Sequence, residues 1–276
     1  MSQFKCKEEL YKILCSSHEE FDLAHTALLL AEIWSSEVDV DEDLFRINLL
    51  ADGVAHRLSD EDNALFDVNV LSEYLFDEKG FQGNQENYYD PKNSFLNEVL
   101  KTHKGNPITL SVLYMEVGRR VGMPLEGVSM PGHFLVRHNG IDALLIDPFQ
   151  KGIMIDEEEC KIKLANIANG EVPWDANYLK SVGKRQIIAR ILRNLKSSYM
   201  GQGNYNVALE VSDCLLLMFP EHDFHIRDRG LINYYLGNFR DALRDLQQYM
   251  NSPVSRDDSR LVANIIRRIH KSYLKF

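Results

Sequence analysis

The chain has 276 residues, of which 45% are hydrophobic and 26% are charged, and its formal net charge is −10. This composition is typical of a globular protein that is long enough for one or two domains. The acidic balance argues against nucleic acid and against anionic membrane surfaces as partners, because both are bound through Lys and Arg. The negative charge is instead expected to keep the protein in solution.

Two features bear on where the protein works. No apolar run approaches the roughly 20 residues that a membrane span needs, and residues 1–6 lack the apolar centre of a signal peptide. The four cysteines follow no regular spacing, at Cys6, Cys15, Cys160 and Cys214. Scattered cysteines in a chain of this size favour reduced thiols. We therefore expect a cytoplasmic protein.

The first part of the chain is predicted to be helical. Apolar residues recur at helical spacing in three stretches, 21–31, 44–58 and 63–75. Each apolar face needs a partner, so these helices are expected to form an N-terminal subdomain over residues 1–80 that packs on a core. Residues 81–90 are predicted to be loop, and residues 94–102 a short helix.

A well-specified helix follows in the middle of the chain. Asn106 suits the N-cap, and Pro107 suits the first helical position, where its missing N–H costs nothing. Gly122 suits the position after the last turn of this helix, where the backbone is often left-handed, and Pro124 prevents the helix from continuing.

Short apolar segments after this helix indicate strands, at 125–130, 134–138 and 143–146. Asn139-Gly140 is a hairpin signal between the second and third of them. A helix followed by antiparallel strands indicates an α+β core. Residues 156–169 are predicted to be helical again.

The last part of the chain reads as helix and contains a repeat. Gly203-Asn204-Tyr205 recurs as Gly237-Asn238-Phe239 after 34 positions, and Pro220 and Pro253 follow at nearly the same offset. A helix–turn–helix period of this length with these residues is the tetratricopeptide pattern. Residues 183–276 are therefore predicted to form an all-α tail of tetratricopeptide-like repeats.

Three elements of the central region are the parts from which Cys–His–Asp enzymes are built. Such an enzyme needs a thiolate, which is best activated at a helix start, a His beside it and a carboxylate that orients the His. Here the helix begins with Pro107, a predicted strand follows His133, and another ends near Asp147. If the last two pair, Asp147 would fix the tautomer of His133 and favour its protonated form.

Several motifs together resemble the SirB-type branch of the transglutaminase-like superfamily, a bacterial group with a transglutaminase-like core and a tetratricopeptide tail. They are Tyr88-Tyr89-Asp90-Pro91-Lys92-Asn93-Ser94, Gly105-Asn106-Pro107-Ile108-Thr109-Leu110-Ser111, Pro131-Gly132-His133-Phe134 and Ile146-Asp147-Pro148-Phe149. The resemblance covers nearly the whole chain. It implies a helix-rich α+β protein whose papain-like core, with a small antiparallel sheet, spans residues 81–182.

The resemblance also implies which site residues are retained. Counting back from Gly122-Met123-Pro124 places the nucleophile position at Pro107, whereas the His and Asp positions fall on His133 and Asp147. Proline cannot act as a nucleophile, so the resemblance implies a protein without the catalytic cysteine. The hydroxyls of Thr109 and Ser111 are expected to bond the backbone.

Other residues carry weaker hypotheses. Asn93 either caps the short helix or lines a ligand-binding cleft with Asn106 and His133, and His133 itself is either structural or part of a working site. Neither Cys15 nor Cys160 has a spacing that brings it to His133. No metal-binding motif is present, and no cofactor is expected.

Two functions follow from these observations. The first is a non-catalytic protein that binds a protein or peptide, through the repeat tail or through the cleft at His133, and acts as a regulator. The second is a hydrolase or transferase in which His133, supported by Asp147, is a general base and no cysteine takes part. The missing nucleophile favours the first.

Overall fold

The protein is described from a computed structural model, which places residues 3–16, 20–35, 38–59, 63–142, 144–252 and 258–273. The chain divides into two compact units. Unit 1 contains residues 1–13 and 17–191, and unit 2 contains residues 14–16 and 192–276.

The N-terminal part of the chain is helical, as the apolar spacing predicts. Its helices are α1 (Gln3–Cys15), α2 (Leu23–Trp34), α3 (Val40–Ala55) and α4 (Ala64–Ser72). Each of the last three begins after a polar residue, Asp22, Asp39 or Asn63, whose side chain accepts a hydrogen bond from a backbone N–H of the first turn. These caps satisfy N–H groups that have no partner within the helix, which is why the helices begin there.

The segment before the central helix contains more structure than the sequence predicts. A single-turn 3-10 helix, Pro91–Ser94, precedes α5 (Leu96–Thr102), so the short helix begins two residues later than expected. The predicted loop 81–90 contains β1 (Gln82–Gly83), which pairs in parallel with β2 (Lys104–Gly105). A ladder this short has no apolar alternation and therefore leaves no signal in the sequence.

The central helix is α6 (Pro107–Arg120), and its predicted ends are confirmed. Asn106 is its N-cap in a capping box with Thr109, and Pro107 is its first residue. Gly122 follows the helix with φ +85°, a conformation that side chains other than glycine rarely adopt. Residues 107–118 of α6 are buried, so the helix lies in the centre of unit 1.

A small antiparallel sheet follows α6, as expected. Its strands are β3 (Leu125–Val128), β4 (Leu135–His138), β5 (Leu145–Asp147), β6 (Ile153–Ile155) and β7 (Ser181–Val182), in the order β6-β5-β4-β3-β7. The sequence did not predict β6 and β7, which have three and two residues. β4 and β5 are antiparallel neighbours in which Val136 pairs with Ile146, and Asn139 and Gly140 lie in the connection between them, as the hairpin signal predicts. Ala143, the predicted first residue of the last strand, lies outside the described residues.

The sheet is covered on both faces. Leu135 packs with Leu145 and with Cys160 and Leu164 of α7 (Glu157–Ile167). The next residue, Val136, is also buried and must point to the opposite face, because side chains alternate along a strand. That second face is the one on which α6 contacts β3 and β4.

The C-terminal part is all helical, as predicted. Its helices are α8 (Lys184–Gly201), α9 (Tyr205–Met218), α10 (Asp223–Leu236), α11 (Phe239–Asn251) and α12 (Ser259–Tyr273). The two copies of the repeat occupy equivalent places, since Gly203 and Gly237 both have positive φ just before α9 and α11. Pro253 lies outside the described residues. The elements together form the helix-rich α+β class with a helical tail that the sequence predicts.

None of the helices in the described ranges combines the length and the apolar character that crossing a membrane requires.

Candidate functional site

His133 and Asp147 form a buried hydrogen-bonded pair at one end of the sheet. Nε2 of His133 lies 2.9 Å from Oδ2 of Asp147, and 6% and 0% of the two side chains are exposed. The strands explain the meeting, because β4 and β5 are antiparallel neighbours. The start of β4, which follows His133, therefore lies beside the end of β5, where Asp147 is the last residue.

Asp147 also closes the turn that follows it. Its Oδ1 accepts hydrogen bonds from the backbone N–H groups of Phe149 and Gln150, at 3.1 and 3.3 Å. Asp147 therefore has two roles at once: its Oδ1 holds the turn, and its Oδ2 pairs with His133.

Lys163 supplies a third partner that the sequence interpretation missed. Its Nζ lies 2.9 Å from Oδ2 of Asp147, the same oxygen that His133 contacts. Burial by itself raises the pKa of Asp147, but the hydrogen bonds and positive charges of His133 and Lys163 outweigh burial and hold the pKa below its ordinary value. Asp147 is therefore an ionised carboxylate at neutral pH.

A signal for Lys163 exists in the pattern of α7. Cys160 and Leu164 are the buried residues of this helix, and Lys163 lies on the same face because residues three or four positions apart are neighbours. A lysine within a buried stripe needs a carboxylate partner. The pattern alone does not say which of the chain's acidic residues is that partner.

Aromatic rings continue from the pair toward the surface. The Phe149 ring lies edge to face with the His133 ring, with centroids 6.1 Å apart, and Tyr88 packs against Phe149 in the same way at 5.9 Å. Tyr89 contacts Tyr88 and is 77% exposed. Burial raises the pKa of Tyr88, so its phenol is neutral at physiological pH.

The two predicted cleft amides, Asn93 and Asn106, belong to one buried network. Asn106 accepts from the N–H of Thr109 at 3.0 Å and donates to Ser94 Oγ at 2.8 Å. The Asn93 amide donates to the backbone carbonyls of Asn87 and Tyr88, and its Oδ1 accepts from Asn84 at 2.8 Å.

The network leaves these amides little capacity for a ligand. Among the described residues, no hydrogen bond joins Asn93 or Asn106 to His133. The structure thus brings His133 to Asp147 and Asn93 to Asn106, and a cleft shared by Asn93, Asn106 and His133 stays a prediction.

The hydroxyls near the start of α6 bond the backbone, as expected. Thr109 Oγ1 donates to the Asn93 carbonyl at 2.6 Å, and Ser111 Oγ donates to the Pro107 carbonyl at 2.7 Å. Cys15 is exposed, whereas Cys160 is fully buried in the cluster on the sheet. Burial raises the pKa of Cys160 to about 11, so its thiol is protonated at neutral pH and is a poor nucleophile.

No group of three or more His, Cys, Asp or Glu side chains in the described part of the chain is placed to hold a metal ion.

The fold thus combines a buried central helix, α6, with an antiparallel sheet that packs on it and carries a buried His–Asp pair at one end. A family model described as "Transglutaminase-like superfamily" matches residues 44–193, and a tetratricopeptide-repeat model matches residues 195–267. The chain belongs to this superfamily and, within it, to the SirB/UPF0162 family, as the motifs predict.

The curated relatives agree with this assignment. A "UPF0162 protein" of Xylella fastidiosa is 39% identical over 84% of this chain and 84% of its own length. The "Protein SirB1" of Salmonella typhimurium is 29% identical over 76% of this chain and 78% of its own length. The human "F-box only protein 21" is 27% identical over 62% of this chain but only 28% of its own length. No solved structure shows a significant match.

Proposed function

We propose that this protein is a non-catalytic member of its family that binds a protein or peptide partner and acts as a cytoplasmic regulator through that binding. One observation carries the proposal. Pro107, which the family resemblance assigns to the nucleophile position, is the buried first residue of α6 inside a complete capping box. The position has no nucleophilic atom and contributes to the helix start instead.

The neighbouring groups support the same conclusion. The hydroxyls of Thr109 and Ser111 donate to backbone carbonyls, and the buried thiol of Cys160 is protonated at neutral pH. A covalent mechanism needs a nucleophile within hydrogen-bond reach of its base. None of these three side chains has a hydrogen bond to His133 among the described contacts.

The repeat tail supports binding. Tetratricopeptide repeats generally mediate protein interactions. In unit 2, a cavity of about 580 Å³ opens between the start of α10 and the end of α11, and its lining residues include Glu221, Arg244, Gln247 and Gln248. A lining of amides and charges suits a polar segment of a partner, since it offers both donors and acceptors.

The cytoplasmic part of the proposal has separate support. Within the described residues the four cysteines form no disulfide, which fits a reducing compartment.

The test uses the full-length protein as bait for partners in an extract of its own cells. Gln247→Ala combined with Gln248→Ala alters only exposed side chains of the cavity, His133→Ala alters the pair in unit 1, and Glu171→Ala is an exposed control. The proposal expects a partner that the wild type and the control retain and that one of the two altered proteins loses. Equal capture by all four proteins would contradict it.

A second candidate function rests on a different observation. The 2.9 Å contact between His133 and Asp147 is the arrangement in which a carboxylate orients a general base. A hydrolase or transferase using this base needs no cysteine. It does need a donor that stabilises an oxyanion, and among the N–H groups after Pro107 that of Thr109 is already bonded to Asn106. Turnover of an ester or amide that disappears in His133→Ala would favour this candidate over the first.

A further inference from the structure

We propose, on the basis of the function proposed above, that a cavity in unit 1 binds an acidic peptide segment of the partner. The cavity has a volume of about 590 Å³ and lies between two short segments, residues 82–86 and residues 149–151, with Lys104 at its side. Cavities of roughly 300 to 1,000 Å³ hold ligands of drug size, so a few residues of a peptide fit here.

Phe149 connects this cavity to the candidate site. It lines the cavity, and its ring also contacts the His133 ring, with centroids 6.1 Å apart. Gly83 allows β1 to pass close to Phe149, because a Cβ atom at this position would lie 2.6 Å from the ring and 2.7 Å from the carbonyl oxygen. Both distances are shorter than non-bonded atoms tolerate. A segment bound in the cavity therefore lies next to the His133–Asp147 pair.

Amide side chains make up much of the lining of the cavity. In the part of the chain that the structure describes, no hydrogen bond joins the side-chain amides of Gln82, Gln85 and Gln150 to another residue. The amide of Asn84, in contrast, is used in the network with Asn93. A side-chain amide offers both donors and an acceptor, which are the groups that pair with a peptide bond. The lining therefore suits a peptide backbone better than a bare anion.

The charged residues of the lining favour an acidic segment, although the protein as a whole has a net charge of −10. Among the described residues, the lining contains Lys104 and Lys151 against one acidic residue, Glu86. Each lysine lies 3.6 Å from one carboxylate, that of Glu86 or Asp77, whereas a charge-assisted hydrogen bond is about 2.8 Å long. Both ammonium groups therefore keep donors for a further carboxylate.

The backbone of Lys151 supports a use for its side chain. Lys151 is left-handed, with φ +57°, and it directly precedes Gly152, which has φ +72°. Glycine adopts this conformation at a lower cost than lysine does, so a lysine at this position favours a role for its ammonium group. The two lysines and the amides together select a peptide that carries Asp or Glu side chains.

The test selects peptides that bind the purified full-length protein from a displayed library of random short sequences. The enriched sequences are expected to be rich in Asp and Glu, and a synthetic peptide of the consensus sequence is then titrated by fluorescence anisotropy. Lys104→Gln combined with Lys151→Gln should weaken its binding by about tenfold, because two charge pairs are lost. Glu86→Gln should strengthen binding by about threefold, because it removes the carboxylate that competes for Lys104.

The matched control combines Lys12→Gln with Lys92→Gln, which removes the same charge from two exposed positions of unit 1 outside the cavity. It should leave binding unchanged. The proposal is overturned if no peptide is enriched, if the enriched peptides are not acidic, or if the two double variants bind the peptide equally well. Weaker binding by Glu86→Gln also overturns it. Partner capture tests the cavity of unit 2 and the His133 pair with other variants, so failure here is distinguishable from failure of the proposed function.

Discussion

The hydroxyl of Thr109 donates a hydrogen bond of 2.6 Å to the backbone carbonyl of Asn93. Thr109 is in the first turn of α6, and Asn93 is in the 3-10 turn that precedes α5. The backbone N–H of Asn106 donates to the same carbonyl at 3.3 Å. The resemblance places the cysteine of active superfamily members at the start of this helix. Here that helix start is held by a buried polar network instead.

Replacing Thr109 with valine tests the importance of this hydroxyl, which also accepts a hydrogen bond from the backbone N–H of Asn106 at 3.2 Å. The change keeps the shape of the side chain but removes the hydroxyl, so we expect the free energy of unfolding of unit 1 to fall by about 2 kcal/mol. Ser111→Ala is the control, because its hydroxyl bonds only a carbonyl of its own helix and should cost less than about 1 kcal/mol. Urea unfolding measures both, and equal losses would show that the two bonds of the Thr109 hydroxyl stabilise unit 1 no more than a bond within one helix does.

The capping box of α6 gives a second prediction. Asn106→Ala removes the cap and also the bond to Ser94 in a buried site, so we expect a loss of about 2 kcal/mol. Asn63→Ala removes the exposed N-cap of α4, which makes one such bond at 3.1 Å, and should cost about 1 kcal/mol or less. Circular dichroism during urea unfolding compares the two, and a larger loss for Asn63→Ala would contradict this account of the helix start.

In unit 2, the buried ion pair between Asp245 and Arg229 is predicted to make a large contribution to the free energy of unfolding. The side chain of Asp245 is fully buried, and both of its oxygens accept from Arg229, at 2.7 and 3.0 Å. Asp245→Asn leaves the guanidinium of Arg229 without its buried counterion, so we expect the free energy of unfolding of unit 2 to fall by about 3 kcal/mol. Asp213→Asn is the control, since Asp213 contacts the same arginine from a position that is 52% exposed and should cost less than about 1 kcal/mol. Thermal unfolding of both variants decides the comparison.

The stability of unit 2 is predicted to depend on pH through His225. Among the residues that the structure describes, its buried Nδ1 has no hydrogen-bond partner. Burial first, and then the positive charges of His222, Lys196 and Arg193, lower its pKa to about 4, although Asp228 opposes them. The unfolded chain therefore takes up a proton near pH 6.5 that the folded protein accepts only near pH 4.

The contribution of His225 to the free energy of unfolding should therefore be constant above about pH 6.5. It should decline by up to about 3 kcal/mol as the pH falls from there to about 4. The measurement is the difference in unfolding free energy between the wild type and His225→Gln from pH 8 to pH 4. The exposed His270→Gln, in α12, serves as the control, because His270 is not among the charges that act on His225. A difference that does not change with pH would show that His225 is not a buried neutral ring.

The sequence predicts those structural features that depend on the chemistry of a few neighbouring residues. The Asn106-Pro107 helix start, the left-handed glycine at Gly122 and the repeat spacing each follow from local residue patterns. The structure agrees with all of them. The pairing of His133 with Asp147 was also within reach, because neighbouring antiparallel strands bring their opposite ends together.

Features that depend on distant partners could not be predicted. The ladder of β1 with β2 has two residues on each side, which is too short for any periodic signal. Lys163 could be assigned to a buried helix face, but its partner Asp147 is fixed only by how α7 packs on the sheet. The amide network of Asn93 likewise depends on the folded path of residues 84–88.

Turnover measured with a panel of amides and esters tests the central claim most directly. The assay compares the wild type with His133→Ala and includes a thiol-directed electrophile, for which Cys15 is the exposed thiol. The absence of a nucleophile at Pro107 predicts the same background rate for both proteins, and labelling at Cys15 with the reactivity of an ordinary thiol. A substrate that the wild type turns over and His133→Ala does not would contradict the claim that the protein is non-catalytic.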